Sequence, residues 1–295
     1  MFLIVKRRPL MIWEKKSAIG AFMATPPELR ERMTRITPRA INPDAVRGQV
    51  ALITGATGGL GRAYAFAMSR MGMKVVIAAR NKQAVNELAE TINNEGGIAL
   101  SLPQYEVTDN LCVMHNMGYI EHKLGPIDLV VNNAAVGGPI MPWSRSYRTE
   151  DWWETINTNY IGIWLVAIAA SERMKRRKRG RIINIASSTV ETRPRELAAY
   201  AFSKWLVVTD TKEVAPEYSK EGLGIFAVHP GTVRTGMTER MIQSPRAPKL
   251  LKRIFENGLD VSPERAAEFI LYVASGAVDH LAGEFLCRGD GVLAG

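Results

Sequence analysis

Short apolar runs alternate along most of the chain with stretches whose apolar residues recur at helical spacing. The first run lies at residues 50–53 and the next at 75–79, with a helical pattern between them. Further runs follow at residues 127–131, 181–185 and 224–228. Alternation of short buried strands with helices is typical of a parallel sheet covered on both faces. The sequence therefore predicts an α/β protein with a doubly wound parallel sheet, a Rossmann fold.

The first 47 residues differ from the rest of the chain. They carry 10 Lys and Arg but only 4 Asp and Glu, which is two thirds of the net charge of +9. We expect residues 1–47 to form a basic, partly ordered N-terminal arm that lies on the body or on a neighbouring subunit. One short amphipathic turn of helix is predicted over residues 26–36, ending before Pro38. Residues 48–295 show no repeat and no second composition, so they are predicted to form a single domain.

Charge and cysteine content argue against several classes of protein. The body of the chain is nearly neutral, so no nucleic-acid partner is expected. No apolar run reaches the roughly 20 residues of a transmembrane helix, so no membrane span is expected. Cys112 and Cys287 fit neither a disulfide framework nor a metal-ligand spacing, which predicts a cytoplasmic protein without a metal site. The Arg-rich start leaves a mitochondrial presequence as an alternative, which Glu14, Glu28 and Glu31 weaken.

A glycine-rich turn, Thr-Gly-Ala-Thr-Gly-Gly-Leu-Gly at residues 54–61, follows the first predicted strand. Glycines let a backbone turn tightly and approach a pyrophosphate, which then rests on the positive end of the next helix. Such turns also occur without ligands, but the position directly after the first strand favours a dinucleotide site. The residues of this turn that we expect to bind the cofactor are Gly55, Thr57, Gly59, Leu60 and Gly61.

Tyr200 and Lys204 stand four residues apart in a predicted helix, so their side chains face the same way. A nearby ammonium group favours the phenolate and lowers the pKa of a tyrosine from its usual value of about 10. A tyrosine in this state can exchange a proton with a carbonyl or an alcohol near neutral pH. The pair on its own also occurs by chance in many helices.

Together, the two motifs resemble those of the short-chain dehydrogenase/reductase family in its single-domain form. The resemblance covers residues 48–295 and includes further motifs in the same order along the chain. They are the Asn-Asn-Ala-Ala block that starts at Asn132, Asn159 in Asn-Tyr-Ile-Gly, Ser187 in Ile-Asn-Ile-Ala-Ser, and Pro-Gly-Thr-Val-Arg-Thr at residues 230–235. Ser187 precedes Tyr200 by 13 residues, which is the spacing of this family. The resemblance implies a Rossmann fold and an NAD(P)-dependent oxidoreductase.

The resemblance also implies four catalytic residues. Tyr200 would be the general acid and base, and Lys204 would hold the cofactor ribose while lowering the pKa of Tyr200. Ser187 would orient the substrate oxygen; the adjacent Ser188 is the alternative, but the 13-residue spacing favours Ser187. Asn159 would bind a water molecule in a relay that ends at Lys204, with a helix cap as the alternative role.

For the cofactor, the resemblance implies contacts from loops that follow the strands. Asn133 would line the ribose, and Glu106 with Val107 would contact the adenine, although Glu106 replaces the commoner Asp. The motif that would hold the nicotinamide carboxamide contributes Pro230, Gly231, Val233 and Thr235. His229 is expected to be a structural residue at a strand end, because Tyr200 already supplies the proton.

Arg80 lies 19 residues after Gly61, at the end of the second predicted strand. Dinucleotide folds that select NAD place an Asp or Glu about 20 residues past the glycine turn, where it binds the ribose hydroxyls. No carboxylate is available at this corner, whereas a guanidinium can bind a 2′-phosphate through paired hydrogen bonds. The sequence therefore predicts NADP(H), with NAD(H) as the alternative. One departure is Gly58, which stands where many NADP-using relatives place a second basic residue.

These residues predict an NADP(H)-dependent oxidoreductase that interconverts a ketone or aldehyde and the corresponding alcohol. One alternative is an NAD-dependent alcohol or 3-hydroxyacyl dehydrogenase of the same family. Two others come from different classes, a dinucleotide-binding regulator without turnover and a nucleic-acid or membrane-surface protein that uses the arm. The complete set of four catalytic residues argues against the regulator.

The small-molecule substrate is expected to lie under residues 236–261, with Pro142 and Trp143 as the opposite wall. This stretch mixes apolar and basic side chains. It favours a hydrophobic alcohol or ketone, with an acidic or CoA-linked carbonyl compound as the alternative. Residues 159–170 and 198–215 are apolar on more than one helix face, which predicts a homodimer or homotetramer.

Overall fold

The computed structural model describes residues 33–142 and 149–289. The strands are β1 (Thr34–Ile36), β2 (Val50–Thr54), β3 (Lys74–Ala79), β4 (Ile98–Pro103), β5 (Ile127–Asn132), β6 (Gly180–Ile185), β7 (Leu223–His229) and β8 (Phe285–Arg288). The helices are α1 (Gly59–Arg70), α2 (Lys82–Asn94), α3 (Asn110–Leu124), α4 (Thr149–Ile156), α5 (Gly162–Lys175), α6 (Thr189–Thr192), α7 (Ala198–Lys220), α8 (Gly236–Gln243), α9 (Lys249–Glu256) and α10 (Pro263–Ala274). A π-helical turn, Asn157–Ile161, joins α4 to α5. Within these residues, no helix combines the length and the apolar character that crossing a bilayer requires.

These strands form one parallel sheet in the order β1-β8-β7-β6-β5-β2-β3-β4. From β2 the chain builds outward through β3 to β4, and it then returns to place β5 on the other side of β2. The direction of winding therefore reverses between β2 and β5. In open α/β sheets, ligands bind at such a reversal, outside the carboxyl ends of the strands.

Both faces of the sheet are buried, which explains why its strands read as continuous apolar runs. Ala51 and Ile53 of β2 belong to a core that also includes residues of α1, α2 and α10. Val50 and Leu52 belong to the opposite core, with residues of α3, α5 and α7. All five residues of β2 are buried. The strand that leads to the glycine turn is therefore held rigidly between two helical layers.

The predicted doubly wound parallel sheet is confirmed, and five strands were located from the sequence. The predicted runs match β2, β3, β5, β6 and β7 to within one residue at each end. The sequence missed β4, whose first residue, Ile98, is 50% exposed and whose apolar positions are interrupted by Ser101. An edge strand with one half-exposed face lacks the continuous apolar run that marked the central strands.

The predicted helical turn before Pro38 is wrong for residues 34–36, which form β1; residues 26–32 lie outside the described residues. Thr34 lies opposite Leu286 of β8, and the backbone N–H of Gly289 donates to the carbonyl oxygen of Ile36 at 2.7 Å. Pairing with β8 satisfies backbone groups that a single helical turn leaves open. The sheet therefore extends into the segment that was predicted to be an arm.

Candidate functional site

The carboxyl ends of β2 and β5 are joined by hydrogen bonds where the winding reverses. The hydroxyl of Thr54 accepts hydrogen bonds from the backbone N–H groups of Asn133 and Ala134, both at 3.1 Å. The side-chain amide of Asn133 donates to the carbonyl oxygens of Thr54 and Gly55 at 3.1 and 3.0 Å. Asn133 thus fixes the glycine turn against the end of β5 and shapes the bottom of the cleft between them.

The glycine turn between β2 and α1 has the geometry of an anion cradle. Gly55 has a φ of +61°, and a Cβ at this position would lie 2.8 Å from the Cα of Ala134. A Cβ on Gly59 would lie 2.8 Å from Cγ2 of Thr235. No side chain caps the N-terminus of α1, so its first N–H groups are available to an anion. The turn therefore fits the pyrophosphate of a dinucleotide cofactor.

A cleft of about 480 Å³, here called the cofactor cleft, extends from this turn along the carboxyl edge of the sheet. The predicted cofactor residues that line it are Gly55, Thr57, Gly59, Leu60, Arg80, Glu106, Val107, Asn133, Tyr200, Lys204 and Thr235. Gly61 is instead buried inside the turn, where a Cβ would collide with the carbonyl oxygen of Gly55. Pro230, Gly231 and Val233 line an adjoining cleft.

Several residues of the cofactor cleft were missed by the sequence analysis, among them Asn81, Tyr105 and Arg240. Asn81 follows Arg80 and caps α2, because its Oδ1 accepts a hydrogen bond from the N–H of Ala84 at 3.0 Å. Arg240 lies on α8, and its only sequence signal is its place in the helix that begins after Thr235. Sequence motifs did not mark it because the fold, not a local pattern, brings α8 over the cleft.

Tyr200, Ser187 and Lys204 lie together at the junction of the two clefts. Tyr200 and Lys204 belong to α7, and Ser187 follows β6. The phenol of Tyr200 is hydrogen-bonded to the side chain of Ser187, whose Oγ also accepts from the N–H of Thr189 at 3.2 Å. Nζ of Lys204 donates to the carbonyl oxygen of Ile185 at 2.7 Å and lies 5.8 Å from the centroid of the Tyr200 ring. The fold thus brings three of the four predicted catalytic side chains together.

Burial dominates the pKa values of Tyr200 and Lys204, which differs from the expectation drawn from their spacing and from the resemblance. Burial raises the pKa of Tyr200 above its usual value, and the hydrogen bond with Ser187 opposes this rise. The side chain of Lys204 is 1% exposed, and burial lowers its pKa to about 7. The expected lowering of the Tyr200 pKa by Lys204 is therefore not found in this structure. Both groups lose hydration, which disfavours the charged form of each.

Asn159 is buried in the π-helical turn before α5, and its side chain is fully engaged. Its Oδ1 accepts a hydrogen bond from the N–H of Val136 at 2.7 Å. Its Nδ2 donates to the carbonyl oxygen of Val136 at 2.9 Å and to Oγ of Ser203 at 3.1 Å. These bonds tie the loop after β5 to α7, beside Lys204. The predicted water relay between Asn159 and Lys204 stays a prediction.

A second cleft of about 400 Å³, here called the substrate cleft, opens on the other side of Tyr200. One wall comes from α8 and α9, which lie within the stretch 236–261 that was predicted to cover the substrate. The side chains of this wall are Met237, Thr238, Met241, Lys249, Leu250, Leu251 and Ile254. The facing wall is formed by α6 and the segment after it, with Thr189, Thr192, Pro194, Glu196 and Leu197.

The prediction that Pro142 and Trp143 form the opposite wall stays a prediction for Trp143. Pro142 is not among the described residues that line the substrate cleft, and Trp143 lies outside the described residues. Arg193 has a φ of 45°, a left-handed conformation that reverses the chain after α6. Residues on both sides of Arg193 line the cleft, Thr189 and Thr192 before it and Pro194, Glu196 and Leu197 after it.

His229 ends β7 and lines the substrate cleft. Burial lowers its pKa to about 4, so its imidazole is neutral near neutral pH. A neutral, buried histidine at a strand end fits the structural role predicted for it. Among residues 33–142 and 149–289, no cluster of three or more His, Cys, Asp or Glu side chains could hold a metal ion.

Comparison with known proteins gives one consistent result. A family model described as short chain dehydrogenase matches residues 49–245. The 3-oxoacyl-[acyl-carrier-protein] reductase of Synechocystis sp. is 35% identical over 202 residues, which cover 68% of this chain and 81% of the relative. A solved gluconate 5-dehydrogenase from Burkholderia cenocepacia J2315, in complex with NADP and tartrate, is 27% identical with a TM-score of 0.75 and covers 83% of this chain and 95% of its own. NAD+-bound xylitol dehydrogenase, at 23% identity, shares the fold with a TM-score of 0.75 over 82% of this chain and 97% of its own.

Proposed function

Because this chain belongs to the short-chain dehydrogenase/reductase family, whose members are NAD(P)-dependent oxidoreductases acting on CH–OH groups, we propose that it interconverts a ketone or aldehyde and the corresponding alcohol with NADP(H). The observation that carries the proposal is the position of Tyr200, which lines both the cofactor cleft and the substrate cleft. A proton donor at this junction can reach a carbonyl oxygen in the substrate cleft while the carbonyl carbon faces the cofactor.

In this proposal the protein positions the substrate and moves one proton. A bound nicotinamide supplies the hydride that is exchanged with the carbonyl carbon. Tyr200 gives its proton to the substrate oxygen during reduction and takes it back during alcohol oxidation. Its raised pKa keeps the phenol protonated near neutral pH, which suits the reducing direction. Ser187, already hydrogen-bonded to Tyr200, holds the substrate oxygen beside the phenol, and Lys204 holds the cofactor ribose.

The substrate cleft favours a hydrophobic alcohol or ketone. Most of the side chains that α8 and α9 contribute are apolar, and Lys249 is the basic residue among them. An assay of reduced-nicotinamide absorbance with a panel of carbonyl compounds tests this class. Higher kcat/KM for uncharged aliphatic or aromatic ketones than for acidic or CoA-linked carbonyl compounds supports it, and the opposite order favours the alternative. Absence of turnover with every class favours a dinucleotide-binding regulator.

A preference for NADP(H) is supported by the corner at the end of β3. Arg80 is exposed and lines the cofactor cleft. Glu106 is the carboxylate that also lines this cleft, but its Oε1 accepts hydrogen bonds from the N–H and the hydroxyl of Thr108 at 3.2 and 3.0 Å. The Glu106 carboxylate is therefore engaged within its own loop. The guanidinium of Arg80 is the group at the end of β3 that can bind a 2′-phosphate.

Replacing Arg80 by alanine is expected to raise the Kd of NADPH about tenfold or more and to leave the Kd of NADH nearly unchanged. Losing one hydrogen bond to a charged group costs about 1.5–3 kcal/mol, which corresponds to this change. Fluorescence or calorimetric titration measures both constants. Lys82→Ala is the matched control, because Lys82 is exposed nearby on α2 but does not line the cleft. Equal losses for both cofactors would make Arg80 structural, and a wild-type preference for NADH would overturn the assignment.

We also propose that the chain forms a homodimer or homotetramer through α5. Trp164 and Ile168, one helical turn apart on α5, are 43% and 37% exposed. A second copy of the same helix would cover this apolar face. Light scattering is expected to show an oligomer for the wild type and a smaller species for Trp164→Glu. A wild-type monomer at working concentration contradicts the proposal.

A further inference from the structure

Arg240 is a basic residue of the cofactor cleft to which the proposed mechanism gives no role. It lies on α8 and lines the cofactor cleft, together with Arg80 and Gly59, and it does not line the substrate cleft. The neighbouring Glu239 pairs with Arg234 at 2.8 Å. Within the described part of the chain, the side chain of Arg240 makes no hydrogen bond or ion pair. The guanidinium is therefore available to an anion in the cofactor cleft.

The position of this guanidinium is given by its neighbours. The N-termini of α1 and α8 meet beside the glycine turn, where a Cβ on Gly59 would lie 2.8 Å from Cγ2 of Thr235. Nη1 of Arg240 lies beside Gly236, the first residue of α8, where a Cβ would be 3.6 Å away from it. Arg240 thus folds back toward the start of its own helix, next to the contact between Thr235 and Gly59.

The charges of this arrangement favour an anion. Helix N-termini carry a partial positive charge, and the exposed guanidinium of Arg240 adds a full positive charge beside one of them. Here the uncapped N-terminus of α1, the N-terminus of α8 and the guanidinium converge on one side of the cofactor cleft. The glycine turn that fits a pyrophosphate forms part of the same cleft.

We propose that Arg240 is a second cofactor anchor, which binds the pyrophosphate from α8, beside the glycine turn. This inference rests on one part of the proposed function, that a dinucleotide binds in the cofactor cleft. It does not depend on whether that dinucleotide is NADP or NAD. Arg80 acts on the 2′-phosphate, which NAD lacks, whereas Arg240 acts on a group that both cofactors share. Met237, also on α8, lines both clefts. A contact between Arg240 and the pyrophosphate would therefore also hold α8 in place as a wall of the substrate cleft.

Binding of cofactor fragments by Arg240→Gln separates these roles. The probes are ADP-ribose, which has the pyrophosphate and no 2′-phosphate, and 2′-AMP, which has the 2′-phosphate and no pyrophosphate. We expect the variant to bind ADP-ribose, NADH and NADPH about tenfold more weakly, by a common factor, and 2′-AMP as the wild type does. Arg246→Gln is the matched control, because Arg246 is exposed between α8 and α9 and lines neither cleft. Thermal unfolding confirms that both variants are folded.

The remaining outcomes of this titration distinguish a failure of the Arg240 proposal from a failure of the proposed function. Unchanged affinity for ADP-ribose overturns the role of Arg240, and so does an equal loss in Arg246→Gln. A loss confined to 2′-AMP and NADPH would move Arg240 to the 2′-phosphate, which also overturns it. A wild type that binds ADP-ribose and NADH but prefers NADH contradicts the proposed NADP specificity and leaves the Arg240 result valid. A wild type that binds none of the probes overturns the proposed function, and the role of Arg240 with it.

Discussion

Replacing Tyr200 by phenylalanine is expected to lower kcat about 10²–10⁴-fold while leaving the Kd of NADPH nearly unchanged. The substitution keeps the ring, which lies between the two clefts, and removes the phenol that is hydrogen-bonded to Ser187. In the proposed mechanism, the phenol of Tyr200 is the group that protonates the substrate oxygen. Steady-state kinetics and cofactor titration give the two quantities. Retention of more than about a tenth of the wild-type kcat would show that the proton comes from elsewhere.

The matched controls for this experiment are the two adjacent serines. Both Ser187 and Ser188 line the substrate cleft, but Tyr200 is hydrogen-bonded to Ser187. Ser187→Ala is therefore expected to lower kcat strongly, whereas Ser188→Ala stays close to the wild type. The reverse order would transfer the role in orienting the substrate oxygen to Ser188.

Replacing Lys204 by methionine is expected to abolish most of the activity and, at the same time, to raise the thermal stability of the cofactor-free protein. Lys204 is 1% exposed, and the hydrogen bond that its Nζ donates is to the carbonyl oxygen of Ile185. Burying a charged group with so little compensation costs stability, whereas methionine fills a similar volume without a charge. Activity is lost because Lys204 lines the cofactor cleft beside Tyr200. Differential scanning calorimetry and kinetics on the same samples test both parts.

The stability difference between Lys204→Met and the wild type has a defined pH dependence. Burial lowers the pKa of Lys204 from 10.5 to about 7. Between these values the unfolded wild type holds a proton that the folded wild type lacks, so wild-type stability rises with pH across this window. Below about pH 7 the folded protein bears the full cost of the buried charge. The advantage of the variant is therefore largest below pH 7 and disappears toward pH 10.5, as unfolding midpoints at pH values on either side of the window would show. A variant that is less stable at every pH contradicts the argument and makes Lys204 a stabilising residue.

Features that depend on short stretches of chain were determined by the sequence itself. The central strands are recognisable because burial on both faces requires an unbroken apolar run, as in β2. The glycine turn is recognisable because a Cβ at Gly55 or Gly61 would collide with neighbouring backbone atoms. Arg80 stands at a fixed distance from that turn because one helix and one strand separate them. The four-residue spacing marked Tyr200 and Lys204, and the resemblance to the family, with its 13-residue spacing, marked Ser187.

Features that depend on contacts between distant segments were decided by the tertiary structure alone. β1 forms because its backbone pairs with the open edge of β8, which is distant in the sequence. No local residue pattern around Ile36 predicts this pairing. The substrate cleft is lined by residues from α6, α8 and α9, which only the fold brings together. The placement of Arg240 depends on α8 meeting α1.

The titration of Tyr200 and Lys204 was decided in the same way. The four-residue spacing in the sequence indicated a cation beside a phenol and hence a lowered tyrosine pKa. In the folded protein burial raises the pKa of Tyr200 and lowers that of Lys204. A charge–charge attraction can be inferred from two residues, but loss of hydration is the sum of everything packed around them. Sequence therefore determined which groups meet at this site, and only the three-dimensional packing determined how strongly each one holds its proton.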